Sequence, residues 1–223
     1  MAGLLRSFAR ASVRLALIFA CAAPVGCSPA PGLVGQLQDP DVQVRRQAVR
    51  SLAKMGPAAD DAIPGLASAL HDPDSEVRRT AALALGNMGA RAESALPGLM
   101  KLLDHKEYAT RFSAALAVEK IAPDNPAFHS VLIEGMTSGE AGTIAAVSEM
   151  GPGAAWAIPH LEKLLTHGDS NVRILAAQAI GQIGSASEQV QSSLRRAASD
   201  PNAGVREAAT QALKVISAPA LAQ

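Results

Sequence analysis

The stretch DPDSEVRRTAALALGNMG, residues 72–89, holds acids, an arginine pair and two glycines, materials for either a phosphate site or a structural unit. Its recurrence along the chain decides between them. The residues that precede the closing turn of each unit are Met55, Met88, Ile121, Met150, Ile183 and Ile216, at intervals of 33, 33, 29, 33 and 33. Three more columns keep that step: Leu52, Leu85, Val118, Val147, Ile180, Leu213; Leu33, Leu66, Leu99, Leu132, Leu161, Leu194; and Ala48, Ala81, Ala114, Thr143, Ala176, Ala209. The chain reads as six repeats, one of them four residues short, and self-similarity at such a period means a stacked array. Asp72, Arg78 and Gly86 are expected to return every 33 residues, which stacking requires and a single catalytic centre does not.

Within the quoted repeat, Val77, Ala81, Ala84, Leu85 and Met88 fall at spacings of three and four, one face of an α-helix. Gly56, Gly89, Gly151 and Gly184 follow the equivalent helices and suit the left-handed residue that closes a helix, with Pro57 and Pro152 blocking continuation. A shorter helix comes next, AIPGLASALH, whose Pro64 is pre-set for a first turn and recurs as Pro31, Pro97 and Pro159. Helices this short are marginal alone in water, so each pair must bury its apolar stripe against the next. The expected fold is all-α, an α-α superhelix of about six helix pairs.

Composition agrees. Apolar residues make up 48% of the 223, mostly alanine and leucine, while aromatics are 3%, which favours close-packed helices over strands. Arg6, Arg10 and Arg14 precede the first acid, Asp39; without them 17 of the 20 bases face 20 acids, giving no electrostatic reason for a nucleic-acid partner.

Residues 1–26 have the form of an export signal: a basic, acid-free start, then the apolar run LALIFACAAPVG, too short for a span of about 20 residues. Cys27 follows directly, and beyond it there is no cysteine, so an intrachain disulfide in the mature chain is excluded. The junction resembles a bacterial lipoprotein cleavage site, although Pro24 stands where that family usually has Leu. The resemblance implies lipidation of Cys27, a tether at 27–30 and, from Ser28, an outer-membrane location facing the periplasm. Cys21 in IFAC is a competing, less well placed candidate, and ordinary signal cleavage, a retained anchor or a misread start are the alternatives.

The stretch at 72–89 followed by AIPGLASAL resembles HEAT repeats, specifically the short bacterial type first named from phycobilisome lyases, over about residues 31–217, with 218–223 as a tail. The resemblance implies an interaction scaffold, a partner protein on the concave side lined by the second helix of each pair, and a ladder between the turn aspartate and the arginine after Val. Here the arginine column reads Arg45, Arg78, Arg111, Glu140, Arg173, Arg206, and the aspartate column Asp39, Asp72, His105, a gap, His167, Asp200. The ladder is expected to fail at repeat four, with a change of superhelical twist near residues 134–142.

Chemistry is sparse. The HEAT-type hydroxylases use His-Glu dipeptides, absent here, and bilin lyases need a chromophore; an enzyme or accessory of either kind is the alternative to a non-enzymatic scaffold. There is no GxSxG, Walker loop or CxxC. His160 and His167 read as solvent-facing or capping residues, and no metal or other cofactor is expected. Candidate binding residues lie on the outward columns of the second helices, which read Arg50, Leu83, Leu116, Ala145, Gln178, Gln211 and Arg46, Arg79, Phe112, Ala141, Ile174, Glu207. Leu83, Phe112, Leu116 and Ile174 are either packing or a patch for an apolar segment of a partner. Trp156, in the turn of repeat five, either folds over a neighbouring helix or anchors an interface. The chain is expected to be a monomer.

Overall fold

The computed structural model describes residues 30–217; Cys27, the leader and the tail 218–223 lie outside them. Short helices α1 (Ala30–Gln36), α3 (Ile63–Ala69), α5 (Leu96–Leu102), α7 (His129–Thr137), α9 (Ile158–Leu164) and α11 (Glu188–Ala197) alternate with α2 (Val42–Met55), α4 (Ser75–Met88), α6 (Tyr108–Ile121), α8 (Ala141–Glu149), α10 (Ser170–Ile183) and α12 (Ala203–Ser217). No strand occurs among the described residues. Six helix pairs result, α1/α2 through α11/α12.

The periodic columns form the seam. Leu66, Leu99, Leu132, Leu161 and Leu194 are fully buried, as are Leu52, Leu85, Val118, Val147 and Ile180; Leu213, at the open end, is half-buried. Each fully buried leucine contributes about 1.5–3 kcal/mol relative to exposure. The turns are more regular than the sequence implies. Gly56–Ala62, Gly89–Ala95 and Gly151–Ala157 are 3₁₀ segments, each kinked at a buried alanine: Ala59, Ala92 and Ala154. All four glycines have positive φ, as expected; Gly184 takes the left-handed helical conformation, whereas Gly56 and Gly89 have ψ of −132° and −144°. The proline that follows Gly56 and Gly151, and the 3₁₀ turn, require the chain to leave the helix in that direction.

The arginine ladder is present and doubly anchored. Arg45, Arg78, Arg111, Arg173 and Arg206 each donate from one terminal nitrogen to the carbonyls five and six residues earlier, tying the helix to its own turn. Arg45 and Arg173 also form two-pronged bonds to Asp72 and Asp200 of the next repeat, at 2.7 and 2.9 Å through Nε. Arg173 holds the Asp200 carboxyl below the usual carboxylate range. His105 and His167 replace turn aspartates as caps: the Nδ1 of each accepts the backbone N–H two residues on, as Asp72 and Asp200 do through Oδ1. A histidine there cannot also accept from the preceding arginine. Arg78 therefore reaches Glu107 at 3.3 Å and its buried Nε has no partner.

At repeat four the ladder fails as expected. Arg111 turns to Glu134 of α7 at 2.5 Å and lies 5.4 Å from the Tyr108 ring. The second helices stack as two groups, α2–α4–α6 and α8–α10–α12, and α6 and α8 make no comparable contact. Across the join, the Tyr108 hydroxyl sits over Gly135 and bonds the Thr143 hydroxyl at 2.7 Å. A methyl group on Gly135 would lie 1.8 Å from that hydroxyl, so only glycine leaves room.

One column explains the grouping. It reads Ala53, Gly86, Glu119, Ser148, Gly181, Lys214. The glycine of the quoted stretch thus recurs once, at Gly181, and not in every repeat as the sequence reading supposes. A Cβ on Gly86 would stand 2.9 Å from the Ala117 Cα, and one on Gly181 3.1 Å from the Ala212 Cα. Glycine lets α4 meet α6, and α10 meet α12, almost backbone to backbone. At the same position of α6, the long, desolvated Glu119 side chain keeps a neighbour away, and burial pushes its carboxyl up. On α12 the position is held by Lys214, exposed beside Val215, which is 50% exposed.

Candidate functional site

Side chains on the outer turns of the second helices reach solvent because the seam uses only their inner face. Leu83 on α4 is 39% exposed, unusual for so large an apolar residue in this fold. Leu116, one repeat later on α6, is half-buried and packs on the core. Phe112 is also half-buried and stacks on Tyr108 with ring centres 6.0 Å apart. These three form one group, since α4 and α6 pack directly.

Ile174 lies elsewhere. Its side chain rests beside Gly204 at the start of α12, where it lines a cavity of about 1010 Å³ with Gln178, Gln182, Glu207 and Gln211. Trp156 is in a third place. It stacks on His129 at 4.0 Å and 21°, with Phe128 edge-on at 6.2 Å, so the 3₁₀ turn of repeat five is clasped to the start of α7. Of the two readings of Trp156, packing over a neighbouring helix matches this geometry. Sequence spacing alone did not show the His129 partnership, because α7 is preceded by a 3₁₀ turn, Pro126–Phe128, outside the repeat pattern.

Burial pushes the His129 imidazole below its ordinary range of about 6.5. A folded state that disfavours the proton keeps this contribution to stability above that pH and loses it as pH falls through the lower folded value. Trp156 is the single tryptophan and reports the event directly. Its fluorescence should fall on acidification with a midpoint below 6.5, and His129→Leu should abolish the transition. A midpoint at or above 6.5 would contradict the burial.

The first two repeats carry a charge network on the same outward face: Arg46 bonds Asp74 at 2.6 Å and Glu76 at 3.2 Å, and Arg50 bonds Glu76. Arg46 holds the Asp74 carboxyl at about 2, helped by the N–H of Val77 that Asp74 caps. His160 and His167 do not come together with a third donor; among the described residues no group of three or more His, Cys, Asp or Glu is placed to hold a metal. No described helix is long and apolar enough to cross a membrane. What this surface offers is apolar contact flanked by charge, the materials of protein recognition.

Comparisons with known proteins agree with the fold. The complex of CpcE and CpcF of phycocyanin lyase from Nostoc sp. PCC7120 is 25% identical over 87% of this chain and 79% of that one, with a TM-score of 0.55. An engineered protein is 26% identical over 85% and 97%, TM-score 0.56. A designed armadillo repeat protein in complex with the peptide (KR)4 is 22% identical over 85% and 100%, TM-score 0.59, a likeness of fold. No curated protein matches. The family model described as HEAT repeats matches residues 4–86, 30–119, 63–151 and 142–214, which from residue 30 onward overlap along the stacked seam, and the chain belongs to the HEAT repeat family.

Proposed function

We propose that this chain is a non-enzymatic scaffold that holds a partner protein on the face made by its second helices, the concave side of the superhelix. The observation that carries the reading is the apolar group on α4 and α6, Leu83, 39% exposed, with Phe112 and Leu116, half-buried on the next helix; Val215, at the α12 end of the same face, is 50% exposed. Monomeric solenoids keep such residues scattered unless they meet something. The designed repeat protein that holds a peptide supports the use of this fold as a binding surface. The scaffold is exported and anchored through a lipid on Cys27, at the outer membrane facing the periplasm; the support is the sequence around Cys27 alone.

Photo-crosslinking residues placed at positions 83 and 116 in the native host test the surface. A discrete adduct at these sites, and none from an exposed position of α5 such as Lys101, is expected; adducts absent at 83 and 116 would end the reading. Fractionation of the Cys27→Ala variant tests the anchor: the variant should leave the membrane fraction, and continued retention with no lipid on the wild-type N-terminal peptide would remove it.

A second reading, an accessory of bilin attachment, is favoured by the likeness to the phycocyanin lyase complex. It predicts visible absorbance after incubation with a free bilin, and a colourless protein after desalting would dismiss it.

A further inference from the structure

The scaffold reading leaves the partner's chemistry open, and the charges on the outward face narrow it. Three columns line this face: positions 46, 50 and 54 of α2 and their equivalents on α4, α6, α8, α10 and α12. On α2, α4 and α6 the charged members are Arg46, Arg50, Lys54, Arg79 and Lys120, with no acid. On α8, α10 and α12 they are Glu149 and Glu207, with no base. Asp74 and Glu76 neutralise Arg46 and Arg50. Lys54, Arg79 and Lys120 have no carboxylate partner among the described residues, and Glu149 and Glu207 no cationic one.

The unpaired charges are thus segregated, cations at one end and carboxylates at the other, with Leu83, Phe112 and Leu116 inside the cationic half. Small side chains follow, Ala141 and Ala145, both exposed, and the carboxylate half has apolar members of its own, Ile174, half-buried, and Val215, 50% exposed. We propose that this face docks a dipolar segment of a partner protein. Its acidic residues meet Lys54, Arg79 and Lys120, its apolar residues lie on Leu83, Phe112 and Leu116, and its basic residues meet Glu149 and Glu207.

Complementary charge at both ends sets the register and speeds encounter, while the apolar contact supplies most of the affinity. A uniformly anionic polymer or lipid surface fits worse, because Glu149 and Glu207 repel it at one end. The inference rests on the scaffold reading but fails separately from it, since crosslinking can find a partner whose segment lacks this pattern.

The test is selection from a library of random twelve-residue peptides against the purified protein at low salt. The enriched peptides should carry acids at one end, leucine-like residues between and bases at the other. Their affinity should drop at least tenfold in Leu83→Ser/Leu116→Ser and in Lys54→Glu/Arg79→Glu. A peptide with its acidic end replaced by lysines should recover binding to the second variant alone, a rescue that misfolding would not allow. Helical circular dichroism of both variants is checked against wild type. Enriched peptides with one sign of charge, peptides indifferent to both variants, lack of rescue, or no enrichment at all would each overturn the proposal.

Discussion

Gly86→Ala destabilises the protein, although helix propensity alone predicts the opposite. Alanine in place of glycine within a helix is worth up to about 1 kcal/mol in its favour. Here the new methyl carbon would stand 2.9 Å from the Ala117 Cα and 3.2 Å from its Cβ, so α4 and α6 must separate. Overpacking of this kind costs about 1–3 kcal/mol, more for Gly86→Val, and backbone atoms have little freedom to yield. Gly142 in α8 is the control. Nothing lies within 4 Å of a Cβ there, so Gly142→Ala should be neutral or stabilising. Urea midpoints of the two variants should therefore move in opposite directions, and a stabilised Gly86→Ala would mean that the two helices do not approach as described. Gly181→Ala should behave like Gly86→Ala, since Ala212 stands against it at 3.1 Å.

The second large effect separates seam from surface. Leu85 is fully buried, and Leu85→Ala should cost about 2–5 kcal/mol. Leu83, two residues earlier and 39% exposed, should cost under about 1 kcal/mol when replaced by serine. Leu116→Ser should fall between, because its side chain is half-buried against the core. If Leu116→Ser lowers the melting temperature as far as Leu85→Ala, Leu116 belongs to the seam and has no part in binding, which would also weaken the docking surface at its centre.

These experiments probe different links of one chain of cause. The glycine series tests how closely repeats approach; the leucine series tests which side chains remain for a partner once they have done so. Function in such an array depends on both, because residues left over by stacking are the only ones that can meet another molecule.

The repeat, its six helix pairs and its ladder were legible in the sequence because stacking imposes the same demands on every unit. A buried leucine, a turn aspartate and a helix-start proline each recur at a fixed interval, and the exceptions are as readable as the rule: Glu140 and the missing four residues marked where the ladder stops. The positive φ assigned to all four glycines is present at each, but Gly56 and Gly89 depart from the left-handed helical ψ that Gly184 keeps, since ψ depends on where the following turn must go.

Tertiary structure alone decided what lies between repeats. That Gly86 and Gly181 are contact points, that Tyr108 closes over Gly135, and that Trp156 finds His129 all depend on residues far apart in the chain meeting at distances no spacing encodes. The same holds for the binding candidates. Period and hydropathy placed Leu83, Phe112, Leu116 and Ile174 on one face, but only packing divided them into a group on α4 and α6 and a separate residue at the α10–α12 cavity. Local sequence determines which way a side chain points from its helix; how near the next helix stands, and hence what stays open to solvent, is settled by the smallest side chain at the crossing.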